Sequence, residues 1–170
     1  RKGVTVHQIE PEMLIEKNSR WLKELDAVQS AWAASRKLSI LRFMVSLEPL
    51  TYSSYRRYYF AEHRGRCVGF LAAVPVFGRR GWFFEDLLRT PDTPNGTMEF
   101  LVHRAMEDAR LSGDHYVTLG LAPLTGIEKS SRSPLANRLL HASRSLEALY
   151  GFQGLFAFKN RFRPDTWTPV

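Results

Sequence analysis

The sequence predicts an α/β fold, a mixed sheet flanked by helices, and three observations carry that expectation. Residues 57–88 hold three successive runs rich in aromatic and β-branched residues, separated by glycine-containing turns. A helical pattern over 97–111 stands between the third run and a fourth at 116–121, the arrangement of a crossover between parallel strands. Further helical patterns precede and follow this block, so both faces of the sheet can be covered. With 170 residues, 44% of them hydrophobic, the chain fits one domain with a core of its own.

Taken in order, Pro11 suits a first helical turn. Leu14, Trp21, Leu22, Leu25, Val28 and Trp32 then recur at three- and four-residue spacing, which predicts one helix over 11–32. Residues 33–57 give no clear pattern beyond a break at Ser35-Arg36-Lys37 and a loop near Glu48-Pro49-Leu50. Arg57–Glu62 and Cys67–Val76 flank His63-Arg64-Gly65-Arg66 and read as a hairpin. Pro75 marks an end, a bulge or an edge in its second strand. After the turn Gly78-Arg79-Arg80-Gly81 comes a strand over Trp82–Leu88. Pro91 and Pro94 hold a loop over 90–96, and the helix 97–111 follows, with Asn95 or Thr97 as its cap and Glu99 well placed in its first turn. Ser133-Pro134 opens another helix that Gly151 stops. Leu155, Phe158 and Phe162 predict a short helix, with Lys159 and Arg161 roughly opposite its phenylalanine face. Trp167 begins a final extended piece.

Lys and Arg number 24 against 17 Asp and Glu, a net charge of +7. Such an excess suits a polyanion, whether nucleic acid, anionic lipid or a phosphorylated cofactor; a solvated basic surface is the plain alternative. Cys67 is the sole cysteine, which rules out an internal disulfide, and it reads as a small core residue. The five histidines lack metal-ligand spacing, and His103 and His141 each stand alone on a helix surface. No nucleophile elbow surrounds the serines at 130–133. No apolar run approaches the ~18 residues of a spanning helix. The start at Arg1-Lys2-Gly3, without Met, reads as a piece of a longer protein.

The element order matches the GCN5-related N-acyltransferase architecture. In that architecture the loop between the strand and the central helix presents backbone amides to a pyrophosphate. Here that loop is Arg89-Thr90-Pro91-Asp92-Thr93-Pro94-Asn95-Gly96, whose two prolines lack N–H donors and whose single glycine is few, so coenzyme A is not expected in it. Charges interrupt an apolar run at Glu85-Asp86-Leu87-Leu88-Arg89, an expensive position unless something binds there. Asp86 and Arg89 read equally as an ordinary ion pair at a strand end.

Four ordered blocks carry a resemblance: Asp86-Leu87-Leu88-Arg89; Pro91-Asp92 with Pro94-Asn95-Gly96-Thr97-Met98; Leu119-Gly120-Leu121-Ala122-Pro123-Leu124; and Phe158-Lys159-Asn160-Arg161-Phe162 with Pro164 and Trp167. Over roughly residues 40–170 the chain resembles the C-terminal catalytic domain of the lysylphosphatidylglycerol synthetases, the multiple peptide resistance factor family, related to the Fem-type transferases. The resemblance implies transfer of an aminoacyl group from aminoacyl-tRNA to the glycerol hydroxyl of phosphatidylglycerol. It implies a single acyltransferase-like domain over 1–170, the C-terminal half of a tandem protein with a second such half or a membrane domain. It also implies a place at the cytoplasmic side of the inner membrane, peripheral or tethered. An aminoacyl ester is already activated, so neither metal nor cofactor is expected. On that reading Asp86 meets the substrate ammonium, Arg89 orients Asp86 or holds a tRNA phosphate, and Lys159 and Arg161 contact phosphate or oxyanion. Glu85, Asn95, Gly96, Thr97 and Tyr150 line the substrate, with Asn95 serving as helix cap, substrate contact or both. A coenzyme A-dependent N-acetyltransferase and a non-catalytic half that docks tRNA or a partner are the competing expectations.

Overall fold

A computed structural model describes residues 3–35, 47–121 and 152–167. The chain forms two compact units, Arg1–Gly120 and Leu121–Val170. In the first, the element order is β1 (Val4–Ile9), α1 (Pro11–Ile15), α2 (Arg20–Ser35), β2 (Arg57–His63), β3 (Arg66–Val76), β4 (Gly81–Arg89), α3 (Thr97–Leu111) and β5 (Tyr116–Thr118). The second contains α4 (Phe152–Asn160). The helix expected over 133–151 lies outside the described residues.

The five strands follow chain order, β1-β2-β3-β4-β5. The first four pair antiparallel, and β5 pairs parallel to β4, as the crossover through α3 requires. The mixed sheet, the hairpin and α3 therefore stand where the sequence put them. Three boundaries differ. The sequence reading missed β1, an edge strand whose Val-Thr-Val-His-Gln-Ile alternation is too lightly buried to read as a core face. The helix expected over 11–32 is two helices, because Asn18 takes a left-handed backbone (φ 68°) between them and the Ser19 hydroxyl accepts the Leu22 N–H at 3.4 Å. The apolar spacing from Leu14 to Trp21 runs across that break by chance of register. Strand β5 is three residues, shorter than the expected 116–121.

One sheet face packs on α1 and α2. Leu14, Leu25 and Val28 meet Tyr58, Phe60, Phe70 and Leu88, and Trp21 lies 5.0 Å from Phe60 ring to ring. Fully burying a side chain of this size is worth roughly 1.5–3 kcal/mol. Helix α3 buries Leu101, Val102, Ala105 and Ala109, and a Cβ on Gly69 of β3 would meet its Met98 sulfur at 3.2 Å. Cys67 is buried in the first core, where desolvation pushes its thiol up to about 12. Pro75 lies beyond the last β2 partner of β3, at Ala73, so it needs no ladder bond on that side.

The parallel pair requires one close approach. A Cβ on Gly81 would sit 1.9 Å from the Tyr116 carbonyl oxygen, whereas one on Gly78 meets nothing within 4 Å. Gly81→Ala is therefore expected to lower the unfolding free energy by roughly 3 kcal/mol or more, and Gly78→Ala to change it by under about 1 kcal/mol. Urea unfolding of the two variants beside the wild type measures the difference; equal midpoints would show that β5 yields freely.

Candidate functional site

Strand β4 carries one residue more than β3 opposite it. Ala72 pairs with Asp86 and Ala73 with Phe84, so Glu85 is the extra residue of a β-bulge. Cross-strand partners share a face. Phe84 therefore lies with Ala73 on the α3 side, and Asp86 with Ala72 and Tyr58 on the α2 side. A regular strand would have put 84 and 86 on the same face. The bulge thus turns Asp86 into the α1/α2 side and leaves Glu85 exposed.

Arg56, immediately before β2, reaches both acids. Its Nη1 lies 2.6 Å from Glu85 Oε2 and 3.9 Å from Asp86 Oδ2, and its Nε donates to the Thr51 carbonyl at 2.7 Å. Asp86 is 7% exposed, and its Oδ2 has no hydrogen-bond donor among the described residues. Among the described residues, the two carboxylates share this one guanidinium. Burial raises the Asp86 carboxyl to about 6; the neighbouring Glu85 charge adds to the rise and Arg56 opposes it.

The other predicted residues fall as follows. Arg89 is exposed on β4 and makes no ion pair with Asp86; three residues along a strand point to opposite faces, so the expected side-by-side pair is corrected to Asp86 with Arg56. Asn95 and Gly96 are exposed at the start of α3. The expected side-chain cap is absent: Gly96 takes the N-cap position at φ 89°, and the buried Thr97 turns its hydroxyl back to donate to the Pro94 carbonyl at 2.7 Å. Thr93 is also buried, its single hydroxyl proton within reach of the Val68 carbonyl at 2.6 Å and the Thr90 carbonyl at 2.7 Å, so the loop's threonine hydroxyl is engaged by the backbone. Tyr150 lies outside the described residues.

Lys159 and Arg161 belong to the second unit. Lys159 is buried near the C-terminal end of α4. Its Nζ donates to the Leu121 carbonyl at 2.5 Å, and desolvation lowers its ammonium to about 8. Phe158 and Phe162 meet edge to face at 5.3 Å, and Phe156 packs on Trp167 at 4.8 Å. Arg161 is exposed.

Sequence reasoning missed Arg56. Its neighbour Arg57 points to the other face, where it stacks over Trp82 at 4.2 Å and pairs with Asp114 at 3.2 Å. Adjacent arginines at the head of a strand, one per face, were the available signal. His103 is exposed beside Glu107, as expected of a surface histidine, and no group of three metal-binding side chains occurs among the described residues.

An antiparallel meander, a crossover helix and a short parallel strand define an acyltransferase-like α/β fold. An aminoglycoside acetyltransferase from an uncultured soil metagenomic sample shares it, with a TM-score of 0.52 over 99% of this chain and 92% of that one at 12% identity. The chain belongs to the family described as "Phosphatidylglycerol lysyltransferase, C-terminal", which matches residues 1–170. It is 26% identical over 167 residues to the phosphatidylglycerol lysyltransferase of Bacillus subtilis, covering 97% of this chain and 19% of that protein. The L-PGS structure from Bacillus licheniformis matches at a TM-score of 0.68 and 20% identity, over 96% of this chain and 48% of that one. The chain thus spans about a fifth of the one relative and about half of the other.

The buried acid has a stability signature. Asp86 holds its proton more tightly folded than unfolded, so between pH 3.8 and about 6 the folded state binds more protons and stability falls as pH rises. Above that window the ionised carboxylate withholds roughly 3 kcal/mol. Asp86→Asn is expected to gain roughly 2–3 kcal/mol on the wild type between pH 4 and pH 7. Urea midpoints across that range check it; a pH-independent difference would remove Asp86 as the cause.

Proposed function

We propose that the protein transfers a lysyl group from lysyl-tRNA to phosphatidylglycerol at the cytoplasmic face of the inner membrane, and that Asp86 binds an ammonium of that lysyl group. One observation carries the reading. Among the described residues Asp86 and Glu85 share Arg56, and the buried Asp86 Oδ2 meets no hydrogen-bond donor, a setting that suits one more cation with hydrogen-bond donors. A substrate ammonium meets that description and lowers the cost of the buried charge. The family and the relatives' names supply the reaction type.

In the transfer, the glycerol hydroxyl oxygen bonds to the ester carbonyl carbon. The bond from that carbon to the ribose oxygen breaks, and the hydroxyl proton ends on the ribose oxygen. Nothing is oxidised or reduced. The protein's tasks are alignment and charge stabilisation. Asp86 and Glu85, fixed by Arg56, hold the donor amino acid. Lys159 and Arg161, in the second unit, are assigned to a tRNA phosphate. The coenzyme A alternative finds little support in the 90–96 loop, where the Thr93 and Thr97 amides already donate to the Thr90 and Pro94 carbonyls. Thermal stabilisation by acetyl-coenzyme A would revive it.

The test uses the full-length protein with lysyl-tRNA and phosphatidylglycerol vesicles. Asp86→Asn is expected to cut kcat/KM by roughly 10²–10³, the scale of losing a buried charged partner, while the protein stays folded. The wild-type kcat/KM should rise as pH passes through about 6 and then level off, as the free carboxylate forms. Unchanged turnover in folded Asp86→Asn would reject the assignment.

A further inference from the structure

The segment before β2 and the turn between β3 and β4 enclose an apolar cavity of about 310 Å³, lined by Tyr52, Tyr55, Arg56, Val74, Pro75 and Phe77. Three aromatic rings on its rim face solvent, with Tyr52 79%, Phe77 75% and Tyr55 60% exposed. Tyr55 and Phe77 meet edge to face at 6.2 Å, so the rings form one patch. Clustered exposed rings of this size mark a contact surface. Arg79 and Arg80 follow Phe77 after Gly78 and are exposed, and neither residues 52–57 nor 74–80 include an acidic residue.

We infer that this aromatic and basic surface docks the protein on an anionic phospholipid bilayer. The inference rests on the reading that a lipid is the acceptor, and goes beyond it by naming the surface that meets the membrane. Tyrosine and phenylalanine rings partition into the interface between headgroups and chains, while adjacent arginines meet anionic headgroups. Arg56 supplies continuity, since the side chain that walls the cavity also contacts Glu85 and Asp86. A lipid raised from the surface at this rim therefore enters beside the carboxylates. A nucleic acid fits less well. Arg56 is already engaged by Glu85 and the Thr51 carbonyl, so among the described residues of the patch the cations are Arg79 and Arg80 at one edge, too few for a track along a phosphate backbone.

An environment-sensitive fluorophore on Phe77→Cys tests the surface in the full-length protein with other accessible cysteines replaced. Cys67 stays unlabelled, being buried with its thiol pushed up to about 12. In phosphatidylcholine vesicles containing phosphatidylglycerol the emission is expected to shift blue and to be quenched by brominated chains; vesicles of phosphatidylcholine alone should give little of either. Arg79→Glu with Arg80→Glu should remove the response and raise KM for vesicle phosphatidylglycerol roughly tenfold at unchanged kcat. Because Arg79 also lies over Tyr116, Arg80→Glu alone is the second variant, and should give a smaller loss in the same direction. A response to tRNA without one to vesicles would overturn the proposal in favour of a nucleic-acid surface. Silence towards both in the folded protein would overturn it too, showing the patch covered by another part of the chain. Lipid response without lysyl transfer leaves the docking surface standing and defeats the transfer reading; transfer without lipid response does the reverse.

Discussion

The guanidinium of Arg56 stands between two carboxylates of the same strand, and the arrangement of the site follows from that sharing. Glu85 takes the short contact at 2.6 Å, and Asp86 is left at 3.9 Å with a buried oxygen to which no described residue donates. A full ion pair for Asp86 would have lowered its pKa; instead burial wins and the carboxyl rises to about 6. The Thr51 carbonyl fixes the third side of the guanidinium, so Arg56 cannot swing to serve Asp86 better. The shortage of positive charge is thus built into the backbone, not left to a mobile side chain.

That shortage works against the fold. Below about pH 6 the folded chain favours a protonated Asp86, and above it the buried carboxylate is ionised at a cost to stability. Holding a carboxylate away from water in this way costs the fold stability. The second unit shows the same tendency in the opposite sign. There Lys159 is buried on α4, donating to the Leu121 carbonyl among the described residues, and desolvation lowers its ammonium.

The parts of the fold that were legible from residues alone were those with strong local signals. The hairpin, β4 and α3 have clear turn residues and clean periodicities, and their limits came out within a residue or so. Strand β1 has neither a turn glycine nor a buried face to announce it. The break between α1 and α2 was written in Asn18-Ser19, but an apolar spacing that continues across it concealed the signal. At the site, Asp86 and Glu85 were visible because charge inside an apolar run is costly. Their cation was not. Arg89 is near Asp86 in sequence yet faces the other way, while Arg56 is thirty residues upstream and comes close only through the pairing of β2, β3 and β4. Side-chain direction along a strand can be counted from sequence only while the strand is regular, and a bulge cancels the count.

The extra residue in β4 makes this strand sensitive to length as well as to chemistry. Substitutions at Glu85 leave the ladder intact, although they remove the short partner of Arg56. Removing one residue between Phe84 and Asp86 would restore regular alternation, and one half of the strand would have to exchange inside for outside. Either Phe84 would leave the α3 core or Asp86 would leave its pocket. Descendants of this chain can therefore vary the letters of the strand far more freely than the number of them, and a conserved count in β4 is a sharper mark of a working site than a conserved residue.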